Sequence, residues 1–394
     1  MHSSSPIDSK ATNSFSNSNQ SILNESSNKI SKMGELVSSL NVHETLSSFS
    51  SRCAAENIAI KYELHPDDGD IVGITKEKIG QGTQKVARLA FSVRTKSLSA
   101  RLSGPKNEAY SEEKAAVKIA KFEKELDIQS LFDKEEVFLQ VFSYAFYVSK
   151  AGHSKVSINT EYCEQGTLSA FCAKGLPQMS LSEVDLFTQY LHDILLALVI
   201  MKQRKVFHRD LKLDNILLKN NRAKIADFGL SSTEDQELAL FKKKIFGLTG
   251  TPNKISPEFL YGRIVIKDLS KPYIGLTGDF PAHLTKAQAT KLALAPKGDL
   301  WSVGALLFEA FYGKYFFEQN NFKQLSAKII NITQEEINHR CKQVEFEGTL
   351  AKFQQLMCQF LTKDPEARPS AKKAYLNFCD LFGIEPKMPR PLNL

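Results

Sequence analysis

The 394-residue sequence predicts an α+β chain in two lobes, a small strand-rich one followed by a larger helical one. Two observations predict it. From about Ile71 to Cys163, short runs of β-branched and aromatic residues alternate with Gly and polar turns. After Cys163, apolar residues recur at three- and four-residue steps over long stretches. No internal repeat is visible. The boundaries expected are a leader over 1–50, a domain over 71–386 divided at about 162/163, and an insertion over about 259–298.

Taking the elements in order, residues 1–30 hold ten Ser and five Asn. Such a stretch buries too little apolar surface to offset its ordering entropy, so a disordered leader is expected, with a short helix at "SKMGELVSSL". Its functional readings are a phosphorylatable tail or a targeting segment, including export from a bacterium into a host cell. "DIVGITKEKIG" and "KVARLAFSVRT" read as strands around a Gly-containing turn. "RTKSLSARLSGPKNEAYSEEK" reads as a polar inserted loop, "AAVKIAKF" as a strand, "SLFDKEEVFLQVFSYAF" as a helix and "SKVSINTEYC" as a strand. In the second lobe, "LSEVDLFTQYLHDILLALVIMKQRK" is a helix with Ser182 and Asp185 in its capping signal. "KGDLWSVGALLFEAFYG" is another, ending at Gly313.

Composition removes several classes of function. A net charge of +7, from 51 basic and 44 acidic side chains, forms no basic tail or stripe, which argues against nucleic-acid binding. The six cysteines (Cys53, Cys163, Cys172, Cys341, Cys358, Cys379) form no C-x-x-C pair. Zinc and dithiol chemistry are therefore not suggested, and reduced thiols in a cytoplasmic compartment are expected. No run of 18 apolar residues is present, so no membrane span is expected, and the N-terminus lacks the apolar core of a secretory signal.

The chemistry concentrates in "VFHRDLKLDNILLKNNRAKIADFGLSS", residues 206–232, where Asp210, Lys212, Asn215 and Asp227 fall within eighteen residues. Phosphoryl transfer asks for such groups: a carboxylate at the attacking hydroxyl, a cation near the moving phosphate, and oxygen ligands for metal ions. "HRDLKLDN", followed by "DFG" starting twelve residues after Asn215, resembles the catalytic core of the eukaryotic-type protein kinases. The resemblance implies the bilobal protein-kinase fold with one main helix in the small lobe, ATP and Mg²⁺ as cofactors, and protein hydroxyls as acceptors. It implies Asp210 as catalytic base or hydroxyl-orienting group, Lys212 near the transferred phosphate, and Asn215 and Asp227 as metal ligands. Lys212, two residues after Asp210, points to the Ser/Thr-specific type. His208 is read as a packing residue.

The resemblance extends to both sides. "IGQGTQKVARLA" is similar to the family's phosphate-covering loop, with Gly80 and Gly82 allowing close backbone approach and Val86 over adenine. The third Gly is absent. Either Lys85 replaces it or one residue is deleted, and the deletion keeps a Val in the apolar position. "AAVKI" resembles the family's lysine-bearing strand, which implies Lys118 on the phosphates and Ala116 on adenine. Its acidic partner is assigned to Glu135 over Glu125, because Glu125 lies only seven residues after Lys118, and because Leu139, four after Glu135, would pack on the DFG Phe. "INTEYCEQGTL" resembles the hinge, with Thr160 as gatekeeper, Glu161 and Cys163 meeting adenine, and Leu217 completing the nucleotide set.

"GTPNKISPE" resembles the substrate-docking segment, with Thr251 bracing Asp210 and Lys212, and Glu258 pairing with Arg368. Lys254 and Ser256 depart from the family's Tyr and Ala there. Asp299 is expected to hold the catalytic-loop backbone. Arg209 implies either a phosphate on Ser231, Ser232, Thr233 or Thr249 or a segment ordered without one. Residues 242–244 are a run of Lys. The insertion over 259–298, with a helix starting near Thr285, could recruit a regulatory partner or cover apolar surface. A pseudokinase scaffold, binding nucleotide or a partner without turnover, is the alternative.

Overall fold

The computed structural model describes residues 32–33, 35–39, 46–64, 71–76, 78–81, 85–103, 112–148, 154–243, 250–267, 285–319 and 321–389. Gly82, Thr249, Lys244 and residues 268–284 of the insertion lie outside them, as does the Ser/Asn-rich stretch 1–30. The chain divides into two compact units, one over 1–119 and 141–162, the other over 120–140 and 163–394.

Order begins before residue 50. Helix α1 (Leu46–Ala55) places Phe49 and Cys53 four residues apart on one face, and both are fully buried. With Met33 and Val37 they cover Leu89 and Phe91 of the sheet. That sheet is antiparallel, with strands β1 (Ile60–Leu64), β2 (Ile71–Thr75), β3 (Gly80–Gln81), β4 (Val86–Ser92), β5 (Leu98–Ser103), β6 (Val141–Val148) and β7 (Ser154–Glu161). Their order is β1-β2-β4-β5-β7-β6, with β3 pairing only β4.

Three sequence expectations fail in this region. "SLSARLS", read as part of a loop, is β5: Leu98, Ala100 and Leu102 alternate with Ser99, Arg101 and Ser103, the period-2 pattern of a strand with one polar face. "AAVKI", read as a strand, lies inside helix α2 (Glu112–Ser130). The two Ala favour helix, and the 3.6-residue spacing of Phe122, Leu126 and Gln129, all buried, continues the pattern. "VFSYAF", read as helix, is β6, the end strand of the sheet, with Phe142 and Tyr144 exposed. Lys134 at φ 71° breaks the helical run before it.

The second unit is built on two apolar helices. Helix α3 (Leu168–Phe171) is one short turn after the hinge strand, and α4 (Leu181–Gln203) is the first long core helix. The N-cap of α4 is Ser180, in a capping box with Glu183, two residues before the Ser expected. Lys174 and Ser180 hold the Glu183 carboxyl down at about 2. By length and composition α4 could cross a membrane, but 72% of its apolar window is buried inside this unit. It reads as a core helix.

The strands β8 (Val206–Phe207), β9 (Ile216–Lys219), β10 (Arg222–Ile225) and β11 (Ser232–Thr233) pair as β9–β10 and β8–β11. Helices α5 (Glu234–Lys242), α6 (Pro257–Lys267), α7 (Lys286–Leu294) and α8 (Gly298–Tyr312) follow, then α9 (Phe322–Asn331), α10 (Gln334–Cys341), α11 (Gly348–Phe360) and α12 (Ala371–Phe382). Helix α8 is buried over most of its length and stops at Gly313, whose φ of 62° suits Gly. Within the insertion, residues 259–267 belong to α6 and residues 286–294 form helix α7. It lies so close to α6 that a Cβ on Gly262 would come 2.3 Å from the Ala293 backbone nitrogen.

Candidate active site

The turns between β8 and β9 carry the reactive groups of the second unit. Asp299, in the first turn of α8, accepts the backbone N–H of His208 (2.8 Å) and of Arg209 (2.9 Å) on its two oxygens. This fixes a strained bend, with Arg209 at φ 70°. His208 is fully buried. Its Nδ1 accepts from the Asp210 N–H (3.3 Å), so Nε2 carries the proton and donates to the Ala226 carbonyl (3.2 Å). The ring also packs on Phe228 at 4.9 Å, so its role is to join the catalytic loop to the DFG segment.

Asp210 stands at the centre. Oδ1 accepts the Thr251 hydroxyl at 2.5 Å, and Oδ2 accepts Lys212 Nζ (2.8 Å) and Asn215 Nδ2 (3.0 Å). Asn215 Nδ2 also bonds the Asp210 carbonyl (2.9 Å). The amide is therefore oriented by its nitrogen, and its oxygen is left as a hard donor. Asp227 adopts the left-handed conformation (φ 65°, ψ 74°), which Asp tolerates. One amide oxygen and one carboxylate suit Mg²⁺, which usually takes one or two protein ligands and completes its shell with phosphate and water. No cluster of three or more His, Cys, Asp or Glu that could hold a metal exists among the described residues. Leu217 is half-buried on β9.

The acid of helix α2 is Glu125. A Cβ on Gly229 would meet Asp227 Oδ1 at 3.2 Å and Glu125 Oε2 at 3.5 Å, so this carboxylate comes to the DFG segment. Glu135 does not. It lies in the turn after α2, where its Oε1 accepts from Arg204 at 2.6 Å. The seven-residue argument against Glu125 fails because Lys118 is on the same helix, with no strand to finish. The ring of Phe228 is met by Phe132 (5.2 Å) and Phe138 (6.0 Å).

Around this centre, Gly250 (φ 108°) sits so close to the Arg209 carbonyl that a Cβ would come within 2.3 Å of it. Arg368 and Glu258, both buried, form a two-pronged pair at 2.7 and 3.0 Å. Lys254 is buried and pairs with Glu309, and Ser256 is buried as well.

Arg209 itself is 8% exposed. Its guanidinium lies between the rings of Phe207 (4.4 Å) and Phe259 (4.5 Å) and donates to the Leu294 carbonyl at 2.6 Å. Leu294 ends α7, where the last carbonyls lack helical partners and carry the negative end of the helix dipole. Burial pulls the Arg209 pKa down to about 10, against Asp299 and Glu237, so it stays charged at neutral pH. Of the expected phosphate acceptors, Ser231 and Ser232 are buried, donating to the His208 carbonyl and to Glu237. Thr233 caps α5. Glu237 of that helix is also buried and pairs with Arg263 of α6.

In the first unit, Thr160 and Glu161 are buried on β7, and Cys163 follows, half-buried, at the start of the second. Gly80 begins β3. Lys118 and Ala116 are helical, so neither lies on the strand beside β7. Val86 also departs from its expected place. It pairs with Ser103, one register step away from the Ala87–Leu102 pair, so it is Ala87 that shares a face with Thr160. Ala87 stands seven residues after Gly80 and Lys85 five after it, while residues 82–84 between them lie outside the described residues.

The chain belongs to the protein kinase family, whose domain pattern matches residues 74–272, half of the chain. Among curated relatives, serine/threonine-protein kinase Nek8 of Danio rerio is 30% identical over 226 residues, 57% of this chain and 26% of that protein. Nek9 of Mus musculus is 28% identical over 261 residues, 63% of this chain and 22% of its own length. PLK4 of Danio rerio is 26% identical over 211 residues, covering 53% and 18%. The matches thus span about a quarter or less of these relatives.

Proposed function

We propose that the protein transfers the γ-phosphoryl group of ATP to Ser or Thr hydroxyls of proteins, itself included. The observation that carries this reading is the convergence of Thr251, Lys212 and Asn215 on the Asp210 carboxylate. An Asp held on both oxygens by neutral or cationic donors is fixed in its aim, as a group that orients an attacking hydroxyl and takes its proton must be. Lys212 can follow the charge as it shifts to the transferred phosphate. Thr251 ties the docking segment to the catalytic loop, so acceptor binding and Asp210 alignment are coupled. Mg²⁺, held by the Asn215 oxygen and Asp227, would neutralise charge on the phosphates. The relatives' names, all serine/threonine-protein kinases, support the acceptor type. That none of the six cysteines is in a disulfide fits a reducing compartment.

One observation favours the scaffold alternative: the strand beside β7 presents no lysine. The test is Mg²⁺-dependent transfer from ATP to the protein and to a generic basic acceptor, beside the Asp210→Asn and Asp227→Ala variants. Transfer to Ser or Thr that both variants abolish supports the enzyme. Nucleotide binding without transfer supports the scaffold.

A further inference from the structure

Phosphate recognition needs a cation as well as backbone N–H groups, and the register of the sheet tells where one stands. Alternate residues of a strand share a face, and directly paired residues of neighbouring strands point the same way. Thr160 pairs with Ala100, Ala100 with Leu89, and Leu102 with Ala87. These residues make one face. Arg101 belongs to the other: it pairs with Arg88 and Asn159, and its guanidinium donates to Asn159 Oδ1 at 2.9 Å. On the Thr160 face β5 offers Leu98, Ala100 and Leu102, and no cation.

Lys85 has the parity of Ala87 and Leu89. It immediately precedes β4, whose register with β3 is set by the Gly80–Ala87 and Gln81–Val86 pairs. Carried one step before β4, that alternation assigns Lys85 to the Thr160 face.

We propose that Lys85 is the phosphate-binding cation of this protein, supplied by the glycine loop itself in place of a strand lysine. The inference rests on the nucleotide-binding reading above. Physically, the loop trades the backbone freedom of a third Gly for an ammonium, as phosphate loops that end in Lys do. Neither Lys118, on a helix, nor Arg101, engaged on the opposite face, is then needed for phosphate binding.

The experiment compares Lys85→Met, Lys118→Met and Arg101→Met in the full chain, by calorimetric binding of ATP and of adenosine and by transfer kinetics. Lys85→Met should weaken ATP binding on the order of 10-fold or more, leave adenosine binding unchanged, and lower kcat/KM by on the order of 10²-fold. Lys118→Met and Arg101→Met should stay within about threefold of wild type. A Lys85→Gly/Leu102→Lys double variant should regain ATP binding, because Leu102 stands on the same face. Equal loss of ATP and adenosine in Lys85→Met would overturn the assignment, as would loss of ATP binding in Lys118→Met or Arg101→Met with Lys85→Met unaffected. Binding distinguishes the two failures: wild type that binds ATP without transfer sinks the enzyme reading alone, while the ATP-against-adenosine difference still decides Lys85.

Discussion

Replacing Arg209 by Met removes a guanidinium while keeping an apolar stem between Phe207 and Phe259. A hydrogen bond from a charged group contributes about 1.5–3 kcal/mol, and each cation–ring contact about 0.5–1 kcal/mol. Roughly 2.5–5 kcal/mol thus holds this side chain, with the Leu294 carbonyl at 2.6 Å as its anchor. Each ~1.4 kcal/mol that reaches the alignment of Asp210 is a tenfold change in rate. If a third to a half of the total is transmitted, kcat falls about 4- to 60-fold, with little change in KM for ATP. Asp299 still holds the loop backbone, so the fold should survive. Steady-state kinetics would be run on Arg209→Met and on wild type made phosphate-free with a phosphatase and checked by intact mass. The phosphate-free wild type should keep its activity, because the Leu294 carbonyl at the end of α7 already accepts from Arg209. The reasoning is refuted if dephosphorylation lowers kcat to the level of the variant, or if Arg209→Met stays within twofold of wild type.

Four further outcomes are expected. Thr251→Val, which removes the hydroxyl on Asp210, should lower kcat about 10-fold or more, and Thr251→Ser should restore most of it, by the same kinetics. Glu125→Gln should lower kcat/KM far more than Glu135→Gln, whose effect should be confined to a melting shift of a few degrees from the lost Arg204 pair. Glu258→Ala strands a buried guanidinium and should cost about 3–5 kcal/mol in denaturant titrations, while a Glu258→Leu/Arg368→Met double variant should recover much of that. Gly262→Ala forces α6 and α7 apart and should cost about 1–3 kcal/mol, lowering kcat along with Arg209→Met if α7 braces the loop.

The second unit was legible because its chemistry is contiguous. Asp210, Asn215 and Asp227 sit in one stretch with two short strands between them, and Thr251, Glu258, Asp299 and Arg368 are each marked by their own local pattern. The first unit was not, for two physical reasons. Ser99, Arg101 and Ser103 make a strand with one polar face look like a loop, so in sequence the Val-Lys-Ile of residues 117–119 reads as the missing strand. That displaced the acid by ten residues, from Glu125 to Glu135. The signal that could have corrected it is the run Phe122, Leu126, Gln129, which has helical spacing and passes straight through Glu125. The role of α7 had no signature in sequence, because a backbone carbonyl belongs to every residue.

The aromatic seam between α1 and the sheet bears on how this protein can be handled. The family pattern begins at residue 74, yet Phe91, fully buried, is covered by Phe49 at 5.4 Å between ring centroids. An expression piece trimmed to the matched boundaries would leave that ring and Leu89 facing water on a sheet also stripped of β1. It would discard Arg368 at the other end as well. Such a fragment would be expected to aggregate, and its silence in a kinase assay would report on the cut, not on the enzyme.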